Sequence, residues 1–178
     1  MRTRRCTIDS SCVIALDYLD MIPKLSLLYS NVLVPKAVRE DLFKRRSTKD
    51  RIQGIFEKYA FFERCDGYES GTVEFLLSER RREGSEDRGE VEAVVQASQF
   101  GAAVIVDDRW GRKLAEQDDL EIHGTLWVLQ RFHELKLLSS RELRACFVAL
   151  RLRDIRLPWD LVSSLLIDIG EQPLEPLS

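Results

Sequence analysis

Apolar positions along the chain follow two patterns, short continuous runs and longer stretches with helical spacing. The short runs predict buried strands at residues 6–8, 31–34 and 102–106, with weaker candidates at 61–65 and 120–124. Apolar residues that recur every three or four positions predict helices between these runs. The predicted helices cover 10–19, 23–30, 35–46, 47–59, a segment from 70 that leads into a polar loop, 89–100, 110–117, 126–138, 140–152 and 159–169.

Residues at the boundaries of these segments support the assignments. Ser10 or Ser11 is a suitable N-cap for the first helix, and Thr125 is a suitable N-cap for a later one. Gly101 follows the helix over 89–100 and favours its termination there. Because strands and helices alternate, we predict an α/β fold with a parallel central sheet flanked by helices, and with extra helices at the C-terminal end.

The chain has 178 residues, of which 44% are hydrophobic, and this is enough for one sizeable core. We predict a main domain over residues 1–138, helices packed on the same domain over 139–170, and a flexible tail over 171–178. The apolar helices at 143–152 and 161–169 suit an internal core and a homodimer surface equally well.

Composition excludes several classes of protein. No apolar run approaches the ~18–20 residues that span a bilayer, and Asp9 and Asp17 interrupt the apolar stretch that follows the N-terminal arginines. We therefore expect neither a membrane span nor a signal peptide, and we expect a cytoplasmic location. The four cysteines are widely spaced and include no Cys-x-x-Cys pair, which predicts small buried side chains rather than a zinc site.

The formal net charge of −3 differs from that of a protein that coats nucleic acid. The basic residues are nevertheless clustered, at 2–5, 44–46 and 80–82. Such clusters are usually solvated helix faces. Together they also allow a phosphate-binding rim around an acidic centre.

Three carboxylates come directly after predicted strands, namely Asp9, Asp107 and Asp108. Ligands of open parallel sheets bind at the carboxyl ends of the strands, so these side chains converge if the two strands are neighbours. Converging carboxylates repel each other unless a cation neutralises them. Oxygen ligands favour Mg²⁺ or Mn²⁺, and the sequence therefore predicts a site for one of these ions.

Two acids on predicted helices, Glu40 and Glu90, are candidates to complete this site. Glu92 is two residues beyond Glu90 and points to a different face of the same helix. Glu90 lies at the end of the stripe formed by Val94 and Ala97, so it is the better candidate. The alternative for such acids is that they complement the dipole of a helix in its first turn.

Several segments, taken in order, resemble the PIN domains. They are TIDSSCVIAL, VLVPKAVREDL and RGEVEAVVQA, followed by GAAVIVDDRWGRKLA and LEIHGTLWVLQRF. The closest resemblance is to a prokaryotic branch of predicted nucleases that includes VapC-like toxins, and it covers residues 5–138. It implies a parallel-sheet fold and four catalytic acids, Asp9, Glu40, Glu90 and Asp107.

The same resemblance implies Mg²⁺- or Mn²⁺-dependent hydrolysis of phosphodiester bonds in single-stranded RNA. Asp9, Glu90 and Asp107 are the implied metal ligands, with Asp108 as a further or alternative one. A small antitoxin protein is the implied partner. Ser10, Ser11 and Arg112 are candidates for contact with substrate phosphate, although a salt bridge to a nearby acid suits Arg112 equally well.

Three other functions compete with a nuclease. A haloacid-dehalogenase-like phosphatase normally carries Asp-x-Asp after the first strand, whereas this chain has Asp9-Ser10-Ser11. A catalytically inactive PIN-like domain that binds nucleic acid or acts as a scaffold is favoured by Val106, which stands where the family pattern has Thr. The last alternative is a purely structural domain with solvated acids.

Overall fold

The computed structural model describes residues 4–44, 46–82 and 87–174. Five strands form one sheet in the order β3-β2-β1-β4-β5, and every neighbouring pair is parallel. The strands are β1 (Arg5–Ile8), β2 (Asn31–Pro35), β3 (Phe62–Cys65), β4 (Ala103–Ile105) and β5 (Ile122–His123). The predicted α/β fold with a parallel central sheet is confirmed.

Nine α-helices and one 3₁₀ helix account for the other regular elements of the described residues. The α-helices are α1 (Ser10–Tyr18), α2 (Lys36–Lys44), α3 (Arg46–Lys58), α4 (Ser70–Arg82), α5 (Arg88–Phe100), α6 (Arg109–Gln117), α7 (Thr125–Glu134), α8 (Ser140–Arg151) and α9 (Trp159–Asp168). The 3₁₀ helix covers Ile22–Leu27, where the sequence predicted a helix after Pro23. None of the described helices is both long and apolar enough to cross a membrane.

The strand order places a switch point between β1 and β4. From β1 the chain moves outward to β2 and β3, and it then returns to add β4 on the other side of β1. The backbone N–H of Asp9 donates to the carbonyl of Ile105 at 3.0 Å, which ties the ends of these two strands together. A crevice at the carboxyl ends of β1 and β4 is the usual place for a ligand in such a sheet.

Helix α5 packs across the sheet and is buried along most of its length. Every residue from Gly89 to Ala97 is buried, and the hydroxyl of Thr7 on β1 donates to the carbonyl of Ala93 at 2.7 Å. Gly101 ends the helix in the left-handed conformation, with φ 57°, as its glycine identity predicted. These contacts fix the N-terminus of α5 beside the carboxyl ends of the strands.

Two helix starts differ from the prediction. Asp9, rather than Ser10 or Ser11, is the N-cap of α1, because its backbone is extended and its carboxylate accepts from the Ser11 N–H. Gly124 holds the N-cap position of α7, and Thr125 is a buried residue inside the helix. All four cysteines are buried free thiols, as predicted.

The chain divides into two compact units, Met1–His123 and Gly124–Ser178. The second unit contains α7, α8 and α9, and α8 begins with a reciprocal capping box between Ser139 and Glu142. The packing of 139–170 on the main domain, the domain boundary at 138 and the flexible tail stay predictions. Residues 175–178 of that tail lie outside the described part of the chain.

Candidate active site at the carboxyl edge of the sheet

Asp9 is a buried carboxylate at the end of the central strand, with only 3% of its surface exposed. Its Oδ2 accepts hydrogen bonds from the backbone N–H of Ser11 at 3.1 Å and from the Ser11 hydroxyl at 2.5 Å. Its Oδ1 is buried and has no hydrogen-bond partner among the described residues. One oxygen therefore holds the side chain in place and leaves the other for a ligand.

Glu90 is held in a similar way at the start of α5. Its Oε1 accepts from the backbone N–H of Gly111 at 2.9 Å, and its Oε2 receives no hydrogen bond from a donor in the described part of the chain. A Cβ atom at Gly111 would lie 2.4 Å from Oε1, so this close approach requires glycine on α6. The N-cap of the same helix is Asp87, which accepts from the Glu90 N–H at 3.0 Å.

Asp107 and Asp108 follow β4 and point to different neighbours. Asp108 is the N-cap of α6, accepts from the Trp110 N–H at 2.8 Å and lies within hydrogen-bonding reach of the Glu90 carboxyl group. Asp107 is half-buried, and its Oδ2 lies 3.4 Å from the Sγ of Cys12 on α1. The structure thus brings Asp108 directly against Glu90 and places Asp107 against α1, the helix that Asp9 caps.

Asp9, Asp87, Glu90 and Asp108 form a set of interacting carboxylates, which we call the acidic cluster. Burial raises the pKa of Asp9 to about 6; the Ser11 hydrogen bonds oppose this rise, and the charge of Asp87 adds to it. Burial also raises the pKa of Glu90 to about 8, with further increases from Asp108, Asp87 and Asp9. The cluster therefore disfavours full ionisation.

A proton retained by Glu90 and Asp108 reduces the repulsion within the acidic cluster. Burial alone would raise the pKa of Asp108, but the hydrogen bond with Glu90, the Trp110 N–H and the charge of Arg80 together lower it below its ordinary value. Two carboxylates can hydrogen-bond to each other only if one is protonated. The pKa of Glu90 is raised and that of Asp108 is lowered, so Glu90 is the acid of this pair that retains a proton more readily.

Arg80, near the end of α4, places a positive charge beside this pair. Its Nη2 lies 3.6 Å from Oε2 of Glu90 and 3.4 Å from Oδ1 of Asp108. Its guanidinium carbon lies 4.6 Å from the centre of the Trp110 ring, and only 13% of the side chain is exposed. A positive charge therefore already lies beside two of the four acids.

Glu40 is not brought into the acidic cluster. Its side chain is exposed on α2 and forms an ion pair with Lys36 at 3.8 Å. The next residue, Asp41, lies closer to the site, because a Cβ atom at Gly89 would be 3.4 Å from Asp41 Oδ2 and 3.5 Å from Asp87 Oδ1. Asp41 also follows the buried Val38 by three residues, and this spacing places the two on one helix face.

Glu92 points away from the cluster, as the sequence predicted. Its Oε2 accepts from the backbone N–H of Ala37 at 2.9 Å, and its Oε1 accepts from Nε of Arg88 at 3.0 Å. The N–H groups in the first turn of a helix have no acceptor within that helix, and Glu92 supplies the acceptor for one of them in α2.

The three candidate phosphate contacts occupy different settings. Ser10 is half-buried at the start of α1, and Ser11 is exposed while its hydroxyl donates to Asp9. Arg112 donates from Nη1 to the carbonyl of Val106 at 3.1 Å, which keeps its guanidinium near the end of β4.

Sequence reasoning missed Asp41, Asp87 and Arg80. The spacing Asp87-x-x-Glu90 is typical of an N-cap followed by an acid in the first turn, so it could have identified Asp87. The distance of three residues from Val38 could have identified Asp41. Nothing in the local pattern of residues 80–82 distinguishes Arg80 from its neighbours, since its role depends on how α4 packs against α5 and α6.

The donor chemistry of the cluster fits a divalent cation such as Mg²⁺ or Mn²⁺. All donors are carboxylate oxygens, and buried oxygens of Asp9 and Glu90 receive no hydrogen bond from the described residues. Across residues 4–44, 46–82 and 87–174, however, no three acidic, histidine or cysteine side chains are arranged to hold an ion as they stand. Binding would therefore require side chains to reorient, including Arg80, whose Nη2 lies 3.6 Å from Glu90 Oε2.

A protein-family model, DUF3368, described as a PIN domain, matches residues 5–171 of this chain. The match extends over the sheet, the acidic cluster and the helices up to α9. A search of curated proteins found no match.

Proposed function

The chain belongs to the PIN-domain family, whose members are generally nucleases, and on this basis we propose that it is a metal-dependent nuclease acting on single-stranded RNA. The observation that carries the proposal is the buried Oδ1 of Asp9, which has no hydrogen-bond partner among the described residues, beside Glu90 Oε2, which receives no hydrogen bond there and has the Arg80 guanidinium 3.6 Å away. Such oxygens are costly in a protein interior unless a cation meets them.

Asp9, Glu90 and either Asp107 or Asp108 would hold the cation, which we propose to be Mg²⁺ or Mn²⁺. When bound, such an ion lowers the pKa of a coordinated water and stabilises the charge that develops on phosphate oxygens. Neither described histidine is needed as a base in this scheme. Glu90 must lose its proton for binding, and a nearby divalent charge would lower its raised pKa.

The chain's own contribution is to orient the donors. Ser11 fixes one oxygen of Asp9, and the Gly111 N–H fixes one oxygen of Glu90, so each acid presents a single remaining oxygen. Asp87 adds negative charge on the side of α2, where Asp41 is paired with Lys44 at 2.7 Å. Arg112, positioned by the Val106 carbonyl, is proposed to contact a substrate phosphate.

The finer statements rest on the resemblance of the motifs to VapC-like toxins. They are that the enzyme is an endoribonuclease of toxin type and that a small antitoxin protein inhibits it; a homodimer is a further proposal, which rests on the apolar helices at 143–152 and 161–169. Each stays a proposal with its own test, of which copurification with a small partner is the first.

A catalytically inactive PIN domain that binds nucleic acid is the second candidate. It is favoured by the position of Arg80 between the acids and by the lack of a preformed three-acid group in the described part of the chain. In this case the guanidinium would permanently take the place of a metal ion.

Cleavage of a mixed pool of single-stranded RNA in Mn²⁺ or Mg²⁺ separates the two candidates. Wild type is compared with Asp9→Asn, which retains a good N-cap for α1, and with the control Asp50→Asn on the exposed face of α3. We expect cleavage by wild type and the control in metal only, and none by Asp9→Asn. Cleavage by Asp9→Asn at the wild-type rate, or no cleavage by wild type, would contradict the proposed activity.

A further inference from the structure

A groove of about 340 Å³ opens beside the acidic cluster. Its lining combines three cations, one indole and one acid: Arg80, Arg109, Lys113, Trp110 and Asp108. Three positive side chains around one groove stand out in a chain whose net charge is −3. The groove shares Arg80 and Asp108 with the surroundings of Glu90, so a molecule lying in it reaches the acids.

Arg80 and Trp110 form one wall of the groove, which we call the Arg80–Trp110 platform. The guanidinium of Arg80 lies over the half-buried Trp110 ring, 4.6 Å from its centre, and the ring also packs against the apolar side chains of α4, α5 and α6. Because apolar contacts hold the Trp110 ring, the aromatic part of the platform is preformed, whereas the Arg80 guanidinium can shift from Glu90 while staying near the ring. Unpaired bases stack on aromatic rings and on arginine planes with little regard to sequence.

The rim of the groove carries exposed positive charge. Arg109 and Lys113 are four residues apart on α6 and therefore lie on one side of that helix. Both are exposed, and neither has an ion-pair partner among the described residues. Cations that are not used within the fold are available for the phosphates of a ligand.

We propose that this groove binds one unpaired nucleotide of single-stranded RNA, next to the phosphate that the acidic cluster cleaves. The base lies against the Arg80–Trp110 platform, and Arg109 and Lys113 contact the adjacent phosphates. An acidic peptide would use the charges but not the platform, and a base-paired duplex would offer no free base. The inference rests on the proposed function for the cleavage step only, because binding is measured separately.

Fluorescence anisotropy with a labelled mixed-sequence RNA of about twelve nucleotides tests the rim. The protein carries Asp9→Asn and the buffer contains EDTA, so that no cleavage occurs. Arg109→Ala/Lys113→Ala is compared with Arg5→Ala/Lys58→Ala, which removes the same charges at the opposite edge of the sheet. We expect the double variant Arg109→Ala/Lys113→Ala to bind the RNA about tenfold more weakly than the parent protein. We also expect the slope of log K against the logarithm of the salt concentration to become less steep by about 1.4, which corresponds to two lost phosphate contacts.

Substitutions of Trp110 test the platform. Because this ring also packs inside the fold, Trp110→Phe accompanies Trp110→Ala, and thermal unfolding confirms that each variant is folded. We expect Ala to weaken RNA binding by about tenfold and Phe to keep most of the affinity, since stacking of one base accounts for this order of effect.

Three outcomes would overturn the proposal. The double variants Arg109→Ala/Lys113→Ala and Arg5→Ala/Lys58→Ala could weaken RNA binding equally. Alternatively, folded Trp110→Ala could bind the RNA as tightly as the protein with Trp110 does. A polyglutamate peptide could also bind as tightly as the RNA and depend on the same residues, which would make the groove a site for acidic protein segments. An absence of cleavage by wild type would contradict the nuclease while leaving these binding results intact.

Discussion

Glu90 and Glu92 lie two residues apart on α5 and are equally buried, each with 1% of its surface exposed, yet their surroundings are opposite. Glu92 has a donor for each oxygen, the Ala37 N–H and the Arg88 guanidinium. Glu90 has a donor for one oxygen only, and burial together with the neighbouring carboxylates raises its pKa to about 8. The same residue type on the same helix thus stabilises the fold at one position and opposes it at the other.

The comparison teaches that burial alone does not identify a functional acid. What separates the two glutamates is whether the protein itself completes their hydrogen bonds. Perturbed acids that gather at one edge of a sheet are a frequent property of catalytic centres. On this ground we assign Glu92 to structure and Glu90 to the candidate site.

The largest expected effect comes from removing the structural acid. Glu92→Ala leaves the Ala37 N–H without its acceptor and removes one of the acceptors of Arg88, and we expect the free energy of unfolding to fall by about 3 kcal/mol. Glu90→Gln should instead keep or raise stability at pH 8, because the amide imitates the protonated acid beside Asp108. Urea unfolding of both variants checks this, and equal losses of stability would remove the distinction between the two residues.

The next effect is a pH dependence of stability in the absence of divalent metal. The raised pKa values mean that the folded state binds more protons than the unfolded state, so stability is lost as pH rises through about 6 for Asp9 and about 8 for Glu90. We expect a decrease of roughly 2 kcal/mol between pH 6 and pH 9 in EDTA. Glu90→Gln, or saturating Mg²⁺, should flatten the curve, and an equally steep curve in Glu90→Gln would refute the assignment.

A smaller effect is expected from removing the internal cation. Arg80→Met keeps much of the contact with Trp110 but removes the charge 3.6 Å from Glu90. We expect Mn²⁺ affinity, measured by calorimetry at pH 8, to rise by about tenfold, because the ion no longer competes with a guanidinium. Weaker Mn²⁺ binding would instead mean that Arg80 holds the acids in position for the metal.

The smallest effect concerns the two neighbouring acids on α2. Glu40→Gln removes an exposed ion pair with Lys36, and we expect a change in stability below about 0.5 kcal/mol and unchanged RNA cleavage. Asp41→Asn, which is closer to Asp87, should reduce cleavage measurably. The reverse order of activities would show that Glu40 turns towards the substrate in the working enzyme.

Most of the fold could be predicted from the sequence, because its strands are short apolar runs with clear boundaries. Residues 102–106 and 31–34 contain β4 and most of β2, and Gly101 marks the end of α5. Asp9 could be chosen because it directly follows a predicted strand. Glu90 could be chosen because helical spacing places it on the same face as the apolar residues Val94 and Ala97. The choice between Glu90 and Glu92 followed from the same reasoning, and the structure turns Glu92 towards Ala37 and Arg88 and places Glu90 beside Asp108.

The remaining features depend on contacts between distant segments. Arg80 reaches Glu90 only because α4 packs against α5, and Gly111 meets the same carboxylate from α6. The capping role of Asp9 was missed because Ser10 and Ser11 are equally good caps by residue type. For Glu40 and Asp41, the periodicity of α2 could have shown which acid lies on the inner face of the helix. Asp41 follows the buried Val38 by three residues and therefore lies on the same face.

The central claim is that the acids at the carboxyl edge of the sheet hold a divalent cation. The most direct measurement is an anomalous difference map from crystals of the protein soaked in Mn²⁺ at pH 8. We predict a peak bonded to Asp9, Glu90 and one of Asp107 and Asp108, with the Arg80 guanidinium moved away from Glu90. A map without a peak at these acids, in crystals that keep Arg80 between Glu90 and Asp108, would contradict the claim.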